Sequence, residues 1–157
     1  MAVYASRRRR RDWQRKRRGG RWGHTFAALD LGTNNCRLLV AKPEQDGFRV
    51  IDAFSRIVRL GEGLGSSDRL SDAAMDRTLV ALNICAKKMK RDGVDRFRMV
   101  ATEACRRAKN ADSFFARVLK HTGLEIEVIT QAEEARLAYS GCRSLLDGKE
   151  PYAAVFD

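Results

Sequence analysis

The sequence predicts an α/β fold in which helices pack against a mixed sheet, and three observations predict it. Residues 26–60 hold three apolar, strand-like runs joined by short polar turns. Residues 71–90 carry apolar side chains at helical spacing, and beyond them strand and helix patterns alternate to residue 157. Short turns join antiparallel neighbours, whereas strands connected through helices cross over the sheet and run parallel.

Residues 1–25 hold ten Arg or Lys, from Arg7 to Arg21, against Asp12, with Trp13 and Trp22 interleaved and no apolar periodicity. Such a stretch buries too little surface to offset the entropy of ordering, so a disordered Arg-rich tail is expected. Three roles stay open for it: a solvated arm, a contact to nucleic acid or another polyanion, or an organelle transit peptide. The tail carries +9 of the formal net charge of +11, which leaves only +2 for residues 26–157. The overall basicity is therefore a property of the tail and not of the folded part.

Phe26-Ala27-Ala28-Leu29-Asp30-Leu31 and Cys36-Arg37-Leu38-Leu39-Val40 read as two strands of a hairpin whose turn is Gly32, Thr33, Asn34 and Asn35. Gly32 accepts backbone angles closed to other residues, and the turn can aim several N–H groups at one anion. Phosphate cradle and ordinary hairpin turn are both compatible with these residues. Phe48 to Phe54 returns as a third strand, continuing through Ile57, Val58 and Leu60, and Gly61 to Ser67 follows as a glycine-rich loop without dinucleotide-fingerprint spacing.

Ser71 caps a helix in which Met75, Leu79, Leu82, Ala86 and Met89 face the core before Gly93. Phe97 to Ala101 is a short strand, and Thr102 to Asn110 a basic helical turn after its C-terminal end, either a ligand contact or a solvated basic face. Residues 112–121 form a second helix with Phe114, Phe115, Val118 and Leu119 inward and Gly123 at its end. Residues 125–129 alternate as a strand. Thr130 then opens a third helix as a capping box in which Glu133 reaches back to the Thr130 N–H. Leu137, Gly141 and Leu145 are expected to face the core, residues 147–149 to turn, and residues 152–157 to form a last buried strand. The capping box accounts for Glu133 and leaves Glu134 unexplained.

Cys36, Cys85, Cys105 and Cys142 are far apart, and neither His24 nor His121 stands at a metal-ligand spacing from them. They read as reduced thiols of a cytosolic protein. No apolar run approaches the roughly 18 residues of a membrane span, and the N-terminus lacks the apolar core of a secretory signal, so a soluble cytoplasmic protein is expected.

Taken in order, Ala28-Leu29-Asp30-Leu31-Gly32-Thr33-Asn34, Leu60-Gly61-Glu62-Gly63-Leu64, Ala101-Thr102-Glu103-Ala104-Cys105-Arg106 and Glu133-Glu134-Ala135-Arg136 resemble the exopolyphosphatase / guanosine pentaphosphate phosphohydrolase family. The resemblance covers residues 26–157. It implies a ribonuclease H-like lobe of the acetate and sugar kinase, heat-shock chaperone and actin superfamily, the first of two lobes that close over a phosphate cleft. It further implies phosphate binding by Gly32, Thr33, Asn34, Asn35 and Arg106, Mg²⁺ near Asp30 and Asp157, and Glu134 as the catalytic residue. Many relatives carry Ser where Asn35 stands.

The implied activity is release of terminal phosphate from inorganic polyphosphate or guanosine pentaphosphate. The alternatives are a polyanion-binding module without catalysis, for polyphosphate or RNA, and a kinase or chaperone-like ATPase of the same superfamily. Relatives continue from the strand equivalent to Val155-Phe156-Asp157 into a second phosphate loop and a second lobe. The 157-residue chain is therefore expected to have little hydrolase activity by itself.

Overall fold

A computed structural model describes residues 23–145 and Ala154. Residues 1–22, the turn expected at 147–149 and Asp157 lie outside the described residues, and of the last expected buried strand only Ala154 is described, where it is exposed and in no strand. Strands β1 (Phe26–Leu31), β2 (Asn35–Glu44) and β3 (Gly47–Ile57) form an antiparallel meander. Strands β4 (Arg96–Ala101) and β5 (Glu127–Val128) join in parallel on the far side of β1, giving the order β3-β2-β1-β4-β5. This is the mixed sheet expected of a ribonuclease H-like lobe.

The alternation of β1 and β2 decides which face is covered. Ala27, Leu29 and Leu31 on β1 and Cys36, Leu38 and Val40 on β2 are buried, while Phe26, Ala28 and Leu39 face the other way and stay exposed. After a one-turn helix α1 (Leu64–Ser67), the long helix α2 (Asp72–Arg91) packs beneath β2 and β3. The Ser71 hydroxyl accepts the Ala74 N–H at 3.2 Å at its start, and Lys88, Lys90 and Arg91 stand in its last turn, so both ends complement the helix dipole. Ala74, Met75, Leu82 and Met89 of α2 meet Phe114 and Val118 of helix α4 (Ala111–Thr122), which follows the short helix α3 (Glu103–Arg107). Burial of each large side chain in this cluster stabilises the fold by about 1.5–3 kcal/mol. Gly123, at φ 72°, ends α4 in the left-handed conformation expected of a helix terminus.

Several expectations need correction. β3 stops at Ile57, and Val58 and Leu60 are buried loop residues. The glycine-rich stretch contains α1. β5 has two residues instead of five, Glu127 and Val128, which pair with Val100 and Ala101 at the C-terminal end of β4. Leu119 is half exposed, since the buried stripe of α4 runs through Phe114 and Val118 on another face. Helix α5 (Gln131–Cys142) buries no residue fully: Leu137 is half-buried, whereas Gly141 and Leu145, beyond the sheet edge, are exposed. The folded part also begins earlier than residue 26. Thr25 is buried and its carbonyl accepts from Asp95 and Arg96, while His24 Nδ1 lies 3.0 Å from Asp95 Oδ1.

The four cysteines are free thiols, three of them buried, and burial pushes the Cys105 thiol up to about 12. Among the described residues no helix is long and apolar enough to cross a membrane.

One buried polar residue pins the loop before α2. The Asn110 amide accepts the Leu70 N–H at 2.8 Å and donates to the Leu70 carbonyl at 3.0 Å, as a strand neighbour would. Removing it strands two buried backbone groups. Asn110→Ala should lower unfolding stability by about 2–4 kcal/mol in urea titrations, and a loss below about 0.5 kcal/mol would contradict this pairing.

Candidate active site

Parallel pairing places the C-terminal ends of β1, β4 and β5 side by side, with Leu31 beside Ala101 and Ala101 beside Val128. The ladder continues one residue further, as Thr102 N–H donates to the Leu31 carbonyl and Ile129 N–H to the Ala101 carbonyl. Three loops therefore leave one edge of the sheet together. A groove of about 1060 Å³ runs from this edge over the uncovered face, lined among others by Asp30, Gly32, Thr33, Asn34, Asn35 and Glu134.

The hairpin turn between β1 and β2 is tied from outside as well as within. Gly32 N–H donates to the Asn35 carbonyl at 2.9 Å. The Asn34 carbonyl accepts from both Val58 and Arg59, at 2.8 and 3.0 Å, and the Thr33 carbonyl from Gly61 at 3.0 Å. Among the described residues the N–H groups of Thr33 and Asn34 have no partner. Two adjacent donors without a partner among the described residues, on a turn that lines a groove, have the chemistry that suits an anion.

Across the groove, α5 begins at Thr130, whose hydroxyl accepts the Glu133 N–H at 3.2 Å. The reciprocal half of the expected capping box is replaced. The Glu133 carboxylate instead receives Arg136, at 2.7 and 2.8 Å, and Arg98 of β4, at 2.9 Å. Arg136 first and then Arg98 hold its pKa down at about 2. Glu134, one residue on, turns to Arg106, whose Nη1 donates to Glu134 Oε2 at 3.1 Å and to the Ile129 carbonyl at 2.8 Å. Arg106 Nη2 donates to Glu103 Oε2 at 2.6 Å, and this pairing more than that with Glu134 raises the guanidinium pKa.

The structure thus brings Asp30, the 32–35 turn and Glu134 along one groove and places Arg106 against Glu134. Asp157 lies outside the described residues. Sequence reasoning passed over Glu103, which lines the groove and shares Arg106; its i, i+3 spacing from Arg106 was the available signal. Arg98 and Arg37, also on the groove, gave no local signal, because only strand pairing brings them there. Among the described residues no three His, Cys, Asp or Glu side chains gather as a metal site. Mg²⁺ needs only one or two carboxylates when substrate phosphates and water complete its shell, so Asp30 on the groove fits that ion.

Because Glu133 titrates lower in the folded chain than its ordinary value of 4.5, its pairing stabilises the attachment of α5 above that value and is lost as the pH falls toward about 2. An NMR titration should give the Glu133 carboxyl a midpoint near 2, with α5 amides losing protection in the same range. Glu133→Gln should remove that pH dependence; an unchanged acid response would refute the assignment.

The model of the Ppx/GppA phosphatase family matches residues 39–156. Among solved structures, a Ppx/GppA family member from Aquifex aeolicus is 35% identical with a TM-score of 0.72, over 76% of this chain and 39% of that one. A second structure of the Aquifex aeolicus Ppx/GppA enzyme, also 35% identical, reaches a TM-score of 0.75 over 81% of this chain and 42% of its own. An exopolyphosphatase from Cytophaga hutchinsonii is 26% identical with a TM-score of 0.74, over 77% and 39%. The chain spans about two fifths of the length of these relatives. With the family model, the strand order and the 35% identity in agreement, the chain belongs to the Ppx/GppA phosphatase family.

Proposed function

We propose that residues 26–157 are the first, phosphate-binding lobe of an exopolyphosphatase-type phosphohydrolase that releases terminal phosphate from inorganic polyphosphate or guanosine pentaphosphate. The observation that carries this reading is the pair of N–H groups of Thr33 and Asn34, without a partner among the described residues, on a turn lining the groove that Glu134 also lines. Family membership supports phosphoanhydride hydrolysis as the reaction class.

In this reading the terminal phosphate sits on the turn formed by Gly32, Thr33, Asn34 and Asn35, where the Thr33 and Asn34 N–H groups stabilise its oxygens without reorganising. Arg106 supplies a fixed cation. Its contacts to the Ile129 carbonyl and Glu134 keep the guanidinium beside the carboxylate, so charge developing on the transferred phosphoryl group meets a positioned counter-charge. The Glu134 carboxylate orients the attacking water and accepts its proton. Asp30 is the described ligand for Mg²⁺, which when bound neutralises charge on the phosphate chain. In-line attack needs a water-excluding cleft, and the groove is open toward solvent on the side away from the sheet. A second lobe is therefore required for turnover.

The test is phosphate release from long-chain polyphosphate with Mg²⁺, comparing this chain with a form extended through a second Ppx/GppA lobe. The chain alone should be almost inactive, and Glu134→Gln in the extended form should lower the rate by about 10²–10⁴-fold. Equal rates for the two forms would overturn the need for a second lobe, and an unaffected Glu134→Gln would overturn the base. ATP turnover exceeding polyphosphate turnover would move the chain to the kinase or ATPase reading.

A further inference from the structure

The Leu60-Gly61-Glu62-Gly63-Leu64 motif has no part in the chemistry above, yet it lies directly behind the phosphate turn. Gly61 N–H bonds the Thr33 carbonyl, and a Cβ on Gly61 would stand 2.4 Å from Thr33 Cγ2, so the loop can approach the turn this closely only with glycine there. Arg59 adopts φ 47°, a left-handed conformation that non-glycine residues avoid. In that conformation the N–H groups of Val58 and Arg59 converge on the Asn34 carbonyl. The Arg59 carbonyl accepts the Glu62 N–H at 3.1 Å, and the Val58 carbonyl is left needing a donor.

Arg77, on α2, supplies it and adds a second donor to the Arg59 carbonyl. Its Nε donates to the Val58 carbonyl at 3.0 Å, and its Nη2 to the Arg59 carbonyl at 3.4 Å and to Glu62 Oε2 at 2.6 Å. One planar fork therefore holds both carbonyls of the strained step and the carboxylate beyond it, which the single ammonium of a lysine cannot reproduce. We propose that Arg77 is a positioning residue that locks the 58–62 loop behind the phosphate turn and thereby holds the Thr33 and Asn34 N–H groups outward. Arg77 does not line the groove. It is partly exposed, and exposed ion pairs contribute little to global stability, so its effect falls on the loop and turn. Helix α2 itself stays anchored through Met75, Thr78 and Leu82.

The experiment is amide hydrogen exchange on the 157-residue chain carrying Arg77→Met or Arg77→Lys, together with calorimetric titration of tripolyphosphate. In Arg77→Met the amides of Val58, Arg59 and Gly61 should exchange about ten- to a hundredfold faster, while those of β1 and α2 keep their rates. Tripolyphosphate affinity should fall in parallel, and Arg77→Lys should restore both only in part. Unchanged exchange at Val58, Arg59 and Gly61 would overturn the proposal, as would a loss spread evenly over β1 and α2. The affinity measurement rests on the phosphate-binding reading above, whereas the exchange measurement does not. A wild-type chain that ignored tripolyphosphate would thus sink that reading and leave the brace to be decided by exchange alone.

Discussion

The alignment of the described loops at the candidate site depends on the in-register parallel pairing of β1 with β4. Leu29 lies beside Met99 and Leu31 beside Ala101, all four buried, while Ala28 and Arg98 share the opposite face. A slip of β4 by one residue would carry Arg98 into the apolar cluster and Met99 into solvent, a double penalty of charge burial and lost apolar contact. The same slip would turn Glu103 and Arg106 away from the hairpin turn. The register chosen for burial is thus also the register that aligns the loops.

The turn at residues 32–35 shows how a backbone site is built from its surroundings. A hairpin turn left to itself satisfies its own carbonyls or gives them to water. Here the carbonyls of Thr33 and Asn34 are taken by a loop that follows β3, and among the described residues their N–H groups keep no partner. Buried Val58, Leu60 and Leu64 hold that loop in place through the core. Donor orientation at the groove is in this way coupled to apolar packing several ångströms behind it.

Charge is divided along α5 by helix geometry. Consecutive residues on a helix project about 100° apart, so Glu133 and Glu134 cannot share a partner set. Glu133 faces the open side of β4 and is consumed by Arg98 and Arg136, which secures α5 to a sheet edge that β5 covers with only two residues. Glu134 faces Arg106 and the groove. The structural carboxylate and the candidate base are neighbours in sequence whose environments differ because the helix turns between them.

The sequence by itself determined most of the described elements and their order, since these follow from local rules. Alternation over residues 26–40, the apolar stripe of residues 74–89, the Ser71 and Thr130 caps and the glycine at residue 123 each act within a few residues, so each was legible without a fold. The candidate site residues with motif spacing, Gly32 to Asn35, Arg106 and Glu134, were proposed through family resemblance. Only the tertiary structure decided where periodic side chains found partners, leaving Leu119, Gly141 and Leu145 exposed and pairing only two residues of β5 with β4. It likewise decided the pairing of Arg106 with Glu134, 28 residues apart, and of Arg77 with Val58, 19 apart. Periodicity records that a side chain needs cover; which group supplies it depends on strand register and helix crossing, long-range quantities that no local pattern contains.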